Sequence, residues 1–299
     1  MQSTISKKIS KKNIIPLSIN IIFLVILLTA CSKQKNFHYK KSVSIQSQKY
    51  KNIVIIIPSY NNEQWCTKNL ISVFKQKYPN FRVIYIDDCS SDQTKQRVKE
   101  ILKTYDNLNQ VKLICNNTRK GSLANIYHAV HSCTDDEIIV QLDGDDWFAH
   151  DQVVKKINQL YCSCDILTTW GSFRNWPSKT RGFCRKLKTK YKIHRKIRLQ
   201  PVFPAGSIRT FYAWIFKKIN KMDLVDKDYN FYQTAGDVAY MLPIIEMAGS
   251  RTRYIPEILC IRNNQTPIND HKVNREKQQQ ITQEISEKKS YPKLPMKLS

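Results

Sequence analysis

Between residues 52 and 146 the chain alternates four short aliphatic runs with three mixed polar stretches, and this alternation limits the possible folds more than any other feature. Ile53 to Ile57 is unbroken aliphatic sequence ended by Pro58, the pattern of a strand buried on both faces. Arg82 to Ile86, Val111 to Cys115 and Glu137 to Leu142 follow as second, third and fourth strands. Helices are predicted between them, near Gln64 to Gln76, Gln93 to Tyr105 and Ser122 to Cys133. The order predicts an α/β fold, with a mostly parallel sheet and helices on both faces. Ligands of such sheets bind beyond the carboxyl ends of the strands. The polar residues gather there: Pro58-Ser59-Tyr60-Asn61, Asp87-Asp88, Asn116-Asn117 and Asp143-Gly144-Asp145-Asp146.

The last of these places three carboxylates in one tight turn. Like charges so close raise one another's pKa unless a cation offsets them. Oxygen ligands with room for substrate phosphates suit Mg²⁺ or Mn²⁺. An isolated Asp-x-Asp would equally serve as a turn and helix cap. Its place after the fourth strand favours the metal reading.

Ile56-Ile57-Pro58-Ser59-Tyr60-Asn61, Asp87-Asp88-Cys89-Ser90-Ser91-Asp92-Gln93-Thr94 and Leu142-Asp143-Gly144-Asp145-Asp146-Trp147 resemble the motifs of the family 2 glycosyltransferases, in that family's order and rough spacing. Asn117-Thr118-Arg119-Lys120-Gly121 with Ala124-Asn125 is similar to a further block. The resemblance covers about residues 52 to 150 and is looser beyond. It implies a GT-A-type, Rossmann-like catalytic domain that binds a nucleotide-sugar donor, with UDP favoured. Pro58, Ser59 and Tyr60 would then hold the base, with Tyr60 stacked on uracil. Asp88 would accept the uracil N3 proton, and Arg119 or Lys120 would approach the base or diphosphate. Asp143 would sit near the ribose and Asp145 on the metal, with the adjacent Asp146 a further metal residue. Asp92 reads as a helix cap.

An inverting transfer also needs a base for the acceptor hydroxyl. Asp237, in Thr234-Ala235-Gly236-Asp237, resembles the family's late acidic block, although Gly236 stands where a second acid is common. Asp237 could also cap the apolar helix that follows. His271 is a candidate further metal ligand, with Asp270 as its alternative. Trp170-Gly171-Ser172-Phe173-Arg174-Asn175-Trp176-Pro177 offers two indoles suited to a saccharide, lipid or glycan acceptor, or to plain packing. Arg181 to Arg198 reads as a solvated charge run, a loop over the site or a membrane-facing patch. A core helix is predicted around Arg209 to Ile219, and a surface helix, polar on all sides, over Lys272 to Lys289.

Ahead of the domain, Lys7, Lys8, Lys11 and Lys12 precede an apolar run from Ile14 to Ala30. This predicts a signal peptide or membrane anchor over residues 1–31. Leu28-Thr29-Ala30-Cys31 resembles a lipoprotein processing site that would lipidate Cys31. A polar tether (32–51), the catalytic domain (52–270) and a helical tail (271–299) complete the organisation. Nucleotide sugars are generally cytosolic, so a membrane-associated enzyme with its catalytic domain on the cytoplasmic side is expected. The eight cysteines after Cys31 form no zinc-spaced pairs and read as reduced thiols. The net charge of +25 suggests an anionic partner, but no nucleic-acid module is visible and no nucleic-acid partner is expected. Two other functions stay open: a nucleotide-sugar-binding module without chemistry, which Gly236 would support, and a basic binder of anionic surfaces or nucleic acid.

Overall fold

Four parallel strands form one half of an eight-stranded sheet: β1 (Ile53–Ser59), β2 (Phe81–Asp87), β3 (Val111–Cys115) and β4 (Ile138–Gln141). The structure is a computed structural model that describes residues 50–105, 110–188, 197–200, 202–266 and 275–295. The expected leader, all but the last two residues of the tether, and both Asp270 and His271 lie outside the described residues. β1 runs between β2 and β4 and is buried along its whole length, which its aliphatic sequence requires.

The connecting helices are α1 (Cys66–Phe74), α2 (Thr94–Tyr105) and α3 (Ser122–His131). Strand order β3-β2-β1-β4 means the chain steps outward from β1 through β3 and then returns across β1 to β4. Right-handed crossovers therefore put α1 and α2 on one face and α3 on the other. The reversal falls between β1 and β4, and a crevice opens at such a point. Register aligns its rim: Ser59 pairs with Asp87, Asp87 with Cys115, and Ile56 with Gln141.

The second half adds β5 (Trp147–Phe148), α4 (Val153–Ser163), β6 (Thr168–Trp176), β7 (Arg209–Tyr212), α5 (Ala213–Phe216), α6 (Gly236–Ala248), β8 (Thr252–Asn263) and α7 (Arg275–Glu287). The full order is β3-β2-β1-β4-β7-β6-β8-β5, with β7 antiparallel to both β4 and β6. The helix expected over Arg209 to Ile219 is therefore half strand. Arg209-Thr210-Phe211-Tyr212 is β-prone sequence that completes the free side of β4, and four helical residues follow. Trp170 lies inside β6, fully buried, with Nε1 donating to the Arg185 carbonyl at 3.0 Å. It is a core residue and takes no acceptor. Trp176 instead packs edge-on against Trp65 and Trp147.

Helix α6 is buried from Val238 to Ala248, as a helix apolar all round must be. The C-terminal helix differs from expectation, because α7 buries Ile285 and rests on α6. Arg198 ties the two together, with two hydrogen bonds to the Glu246 carboxylate and one to the Ile285 carbonyl. None of the eight described cysteines is in a disulfide. No described helix is long and apolar enough to cross a membrane.

Candidate active site

The crevice at the strand ends is lined by Tyr60, Asp88, Asp143, Asp145 and Asp237, so topology gathers residues up to 177 positions apart. Ser59 and Pro58 build its floor. Ser59 Oγ accepts from the Tyr85 hydroxyl at 2.9 Å and from Asn62 Nδ2 at 3.0 Å, while the Pro58 carbonyl takes the Gly144 amide at 3.1 Å. Gly144 has no substitute here, because a Cβ would lie 2.7 Å from Ser59 Cβ. The Arg119 guanidinium sits 3.9 Å over the Tyr60 ring, a cation–π contact that covers one face of the ring. A base must therefore displace that guanidinium or take the opposite face.

Asp88 organises the loop after β3. Its Oδ1 accepts from Asn116 Nδ2 at 2.7 Å and the Lys120 amide at 2.9 Å, and Oδ2 accepts the Gly121 amide at 2.8 Å. Burial alone would raise its pKa, but bonds from Asn125, Lys120, Asn116 and Gly121 outweigh it and hold the carboxyl below its usual value. A carboxylate has about four acceptor positions, and these bonds tie Asp88 firmly to the loop. Lys120 contributes its amide, while its side chain is exposed and does not line the crevice. Asp92 accepts the Thr94 amide at the start of α2, which is the expected cap.

The acidic turn is held from below by Asn69 of α1, whose Nδ2 donates to the Asp143 and Asp146 carbonyls at 3.0 and 2.7 Å. Each carboxylate then has its own surroundings. Asp143 Oδ1 accepts from Gln141 Nε2 at 2.6 Å. Asp146 is buried, and its Oδ1 accepts the Asn263 amide of β8 at 2.8 Å. Burial and its two acidic neighbours push its pKa well above the carboxylate range. Asp145 receives the Thr266 hydroxyl at 2.8 Å, and burial with the Asp143 charge pushes it up to about 6. Among the described residues, no three His, Cys, Asp or Glu side chains form a cluster able to hold a metal by themselves. Asp145, bonded to no cation among the described residues and lining the crevice, fits a Mg²⁺ or Mn²⁺ that draws its other ligands from phosphates and water.

Asp237 stands across the crevice at the start of α6. Its Oδ2 accepts from Arg209 Nη2 at 2.8 Å and its Oδ1 from the Val238 amide at 3.0 Å. It thus lies in the first turn of its helix, whose N-cap position is Ala235 with no side-chain cap, and it faces the crevice. Arg209, buried on β7, donates as well to Gln141 Oε1 and to the Ala205 carbonyl. Arg209 and Gln141 therefore connect Asp237 to Asp143, across the two halves of the sheet. Gly236 has a packing reason, since a Cβ there would lie 3.0 Å from Leu123 Cβ.

Several of these residues are absent from the sequence reading. Gln141 left a trace, as the polar member of a buried strand. Arg209, Thr266 and Arg262, the last also lining the crevice, left none, because their neighbours in space are distant in sequence.

A family model described as glycosyl transferase family 2 matches residues 54–220, more than half of the chain. The poly(ribitol-phosphate) beta-N-acetylglucosaminyltransferase TarS of Staphylococcus aureus is 33% identical over 95 residues, 31% of this chain and 16% of that protein. The UDP-Glc:alpha-D-GlcNAc-diphosphoundecaprenol beta-1,3-glucosyltransferase WfgD of Escherichia coli is 34% identical over 99 residues, 33% of this chain and 37% of that protein. The matched stretch thus spans well under half of each of these relatives. Crystalline S. aureus TarS 1–349 with UDP-GlcNAc aligns at TM-score 0.52 and 19% identity, over 72% of this chain and 59% of that one. The mannosyltransferase PcManGT of Pyrobaculum calidifontis, with GDP-Man and Mn²⁺, aligns at 0.52 and 17%, over 72% and 57%. At such identities the structures speak for the fold, a GT-A-type α/β domain. The family match takes in Tyr60, Asp88, the acidic turn and Arg209 and stops before Asp237, and the chain belongs to the family 2 glycosyltransferases.

Proposed function

We propose that the chain moves a sugar from a nucleoside diphosphate donor, UDP favoured, to an acceptor hydroxyl, with Mg²⁺ or Mn²⁺ and with inversion. The observation that carries this is the crevice itself, with Asp145 on one wall and Asp237, fixed by Arg209, on the other. Tyr60 and Asp88 would hold the base, and Asp143 the ribose. Asp145 would hold the cation, and Asp146 would brace the turn from β8. When bound, the cation supplies Lewis-acid neutralisation of the departing diphosphate. Asp237 would take the acceptor hydroxyl's proton as its oxygen attacks the anomeric carbon from the face opposite the leaving group. The Arg209 bond occupies Oδ2 and sets the orientation of the carboxylate.

TarS, WfgD and PcManGT support this reading by their names, the last also by its Mn²⁺. WfgD and a Methanococcus voltae dolichyl phosphate-sugar glycosyltransferase support a glycan or lipid-linked acceptor. Gly236 gives no argument for a binding module without chemistry, since packing against α3 accounts for it. Membrane attachment through residues 1–31, with the domain on the cytoplasmic side, is part of the proposal. Membrane fractionation with protease protection tests it.

The central test is calorimetric titration of the full chain with UDP, with Mn²⁺ or with chelator. Binding should need the metal and disappear in Asp145→Ala. Asp237→Asn should keep binding and lose turnover on a panel of UDP-sugars. Metal-independent binding, or turnover in Asp237→Asn, would refute the mechanism.

A further inference from the structure

A second cavity, of about 740 Å³, adjoins the donor crevice and shares Asp143, Asp146, Arg209, Asp237 and Arg262 with it. The two meet at the carboxylate proposed as the base. A molecule seated in the second cavity therefore has its reacting end at Asp237, and the composition of the walls defines what that molecule is.

One wall is apolar. Phe173, Phe183, Val202 and Phe203 line it, and the Phe183 ring packs edge-on to Phe173 at 5.5 Å between centroids. Phe183 and Val202 are 46% and 44% exposed, and Leu199 nearby in sequence is 68% exposed. Large apolar side chains kept together in water at the mouth of a cavity mark a surface that expects cover. A polar saccharide alone would leave such a wall unused.

The other feature is cationic. Arg262 lies inside, with its guanidinium 5.5 Å from the Phe173 ring centroid, and Arg181 stands at the mouth, bonded to Ser172 Oγ and the Pro256 carbonyl. Neither forms an ion pair within 4 Å with a described carboxylate, although Arg262 stands near enough to Asp145 and Asp146 to feel their charge. Arg185 reaches the same rim through the Val202 carbonyl, and Lys186 and Lys188 follow with no acid among residues 181–188. The carboxylates of the cavity, Asp143, Asp146 and Asp237, all belong to the part it shares with the donor crevice. Guanidinium groups without carboxylate partners are the natural ligands of phosphate.

We infer that this cavity is the acceptor site and that its occupant is a lipid-linked sugar phosphate or diphosphate. The sugar hydroxyl would meet Asp237, the phosphate Arg181 and Arg262, and the first isoprenoid-like or alkyl units the Phe183–Val202 wall. A phosphate-bearing polymer would satisfy the arginines equally, but it has nothing to place against four apolar side chains. The inference rests on the transferase reading for the role of Asp237, while the binding chemistry stands by itself.

The test is calorimetry on the full chain with farnesyl phosphate, below its micelle concentration, beside glucose 1-phosphate, inorganic phosphate and farnesol. Farnesyl phosphate should bind at least about tenfold more tightly than any of the three partial ligands. Phe183→Asp and Arg181→Glu, both at exposed positions, should each weaken it by about tenfold or more, with near-ultraviolet circular dichroism unchanged. The same variants should bind UDP with Mn²⁺ as the wild type does. Equal affinity for glucose 1-phosphate would overturn the lipid assignment in favour of a soluble or polymeric phosphate. Unchanged farnesyl phosphate affinity in both variants would place the amphiphile elsewhere and overturn the site. Loss of UDP binding in the wild type, with farnesyl phosphate still sensitive to both variants, would sink the transferase reading and leave the lipid site standing.

Discussion

Replacing Asp145 by Asn should stabilise the metal-free protein while destroying its metal-dependent nucleotide binding. The folded-state pKa of Asp145 is pushed up to about 6, from an ordinary value of 3.8, by burial and by the charge of Asp143. A carboxyl whose pKa is higher in the folded state binds its proton more tightly there. It therefore costs no stability below about pH 4, and its penalty grows as pH rises towards 6 and is full above that. At about 1.4 kcal/mol for each pH unit between the two pKa values, the full penalty is about 3 kcal/mol. Asp145 is partly open to the crevice, and solvent screening lowers the expected figure to about 1–2 kcal/mol. Asparagine has the same shape, can still accept the Thr266 hydroxyl, and carries no charge. Urea unfolding in chelator at pH 4.5 and pH 7.5 measures the effect. Asp145→Asn should gain on the wild type at pH 7.5, with the difference shrinking at pH 4.5. Equal or lower stability of the variant at pH 7.5 would refute the claim that the fold compensates the Asp145 charge poorly, and with it the main structural support for a cation there.

Three further substitutions probe the scaffold of the site. Gly144→Ala brings a Cβ to 2.7 Å from Ser59 Cβ and should cost about 1–3 kcal/mol in urea unfolding, with UDP binding at least tenfold weaker. Asn69→Leu leaves two carbonyls of the acidic turn without their donor and should cost about 1–3 kcal/mol by the same measurement. Arg209→Met removes the partner of Asp237 and of Gln141 and should cost about 2–4 kcal/mol. Turnover by Arg209→Met should fall far more than UDP affinity in calorimetry, and Arg209→Lys should recover part of it. Full turnover in Arg209→Met would show that Asp237 needs no orienting partner.

The parallel half of the sheet was legible because each of its strands carries an unambiguous signature. β1, β2 and β4 are buried, so their side chains are aliphatic without alternation, and loops at their carboxyl ends could be read as a site before any geometry was known. The antiparallel half was less so. Arg209 to Phe216 is a short β-prone and apolar run, and such runs do not separate strand from helix by periodicity. What decides the matter is the free side of β4, about 70 residues earlier. The same distance hid Arg209 as a site residue, since its partners Gln141 and Asp237 come from two other elements. Trp170 looked like an acceptor contact because an indole beside a strand end suits either purpose. Only the direction of its side chain, into the core, settles which. In α7 one buried residue, Ile285, with Tyr232 bonded to Glu284, docks a helix that is otherwise polar.

The charge arrangement explains why a crevice so rich in carboxylates folds at all. Asp237 shares the buried guanidinium of Arg209, and Asp143 is connected to the same cation through Gln141. Asp146 is pushed towards its neutral form and takes the Asn263 amide, so it serves as a strut between the acidic turn and β8. Asp145 has a hydroxyl partner in Thr266 and no cation bonded to it among the described residues. Burial and the Asp143 charge oppose its ionised form, and the cation that favours it, Arg262, is more distant. A metal diphosphate arriving there would neutralise Asp145 without disturbing the Arg209 bond that orients Asp237. On the proposed reading the donor and acceptor sides would then load independently, which a single shared cation between Asp145 and Asp237 would have prevented.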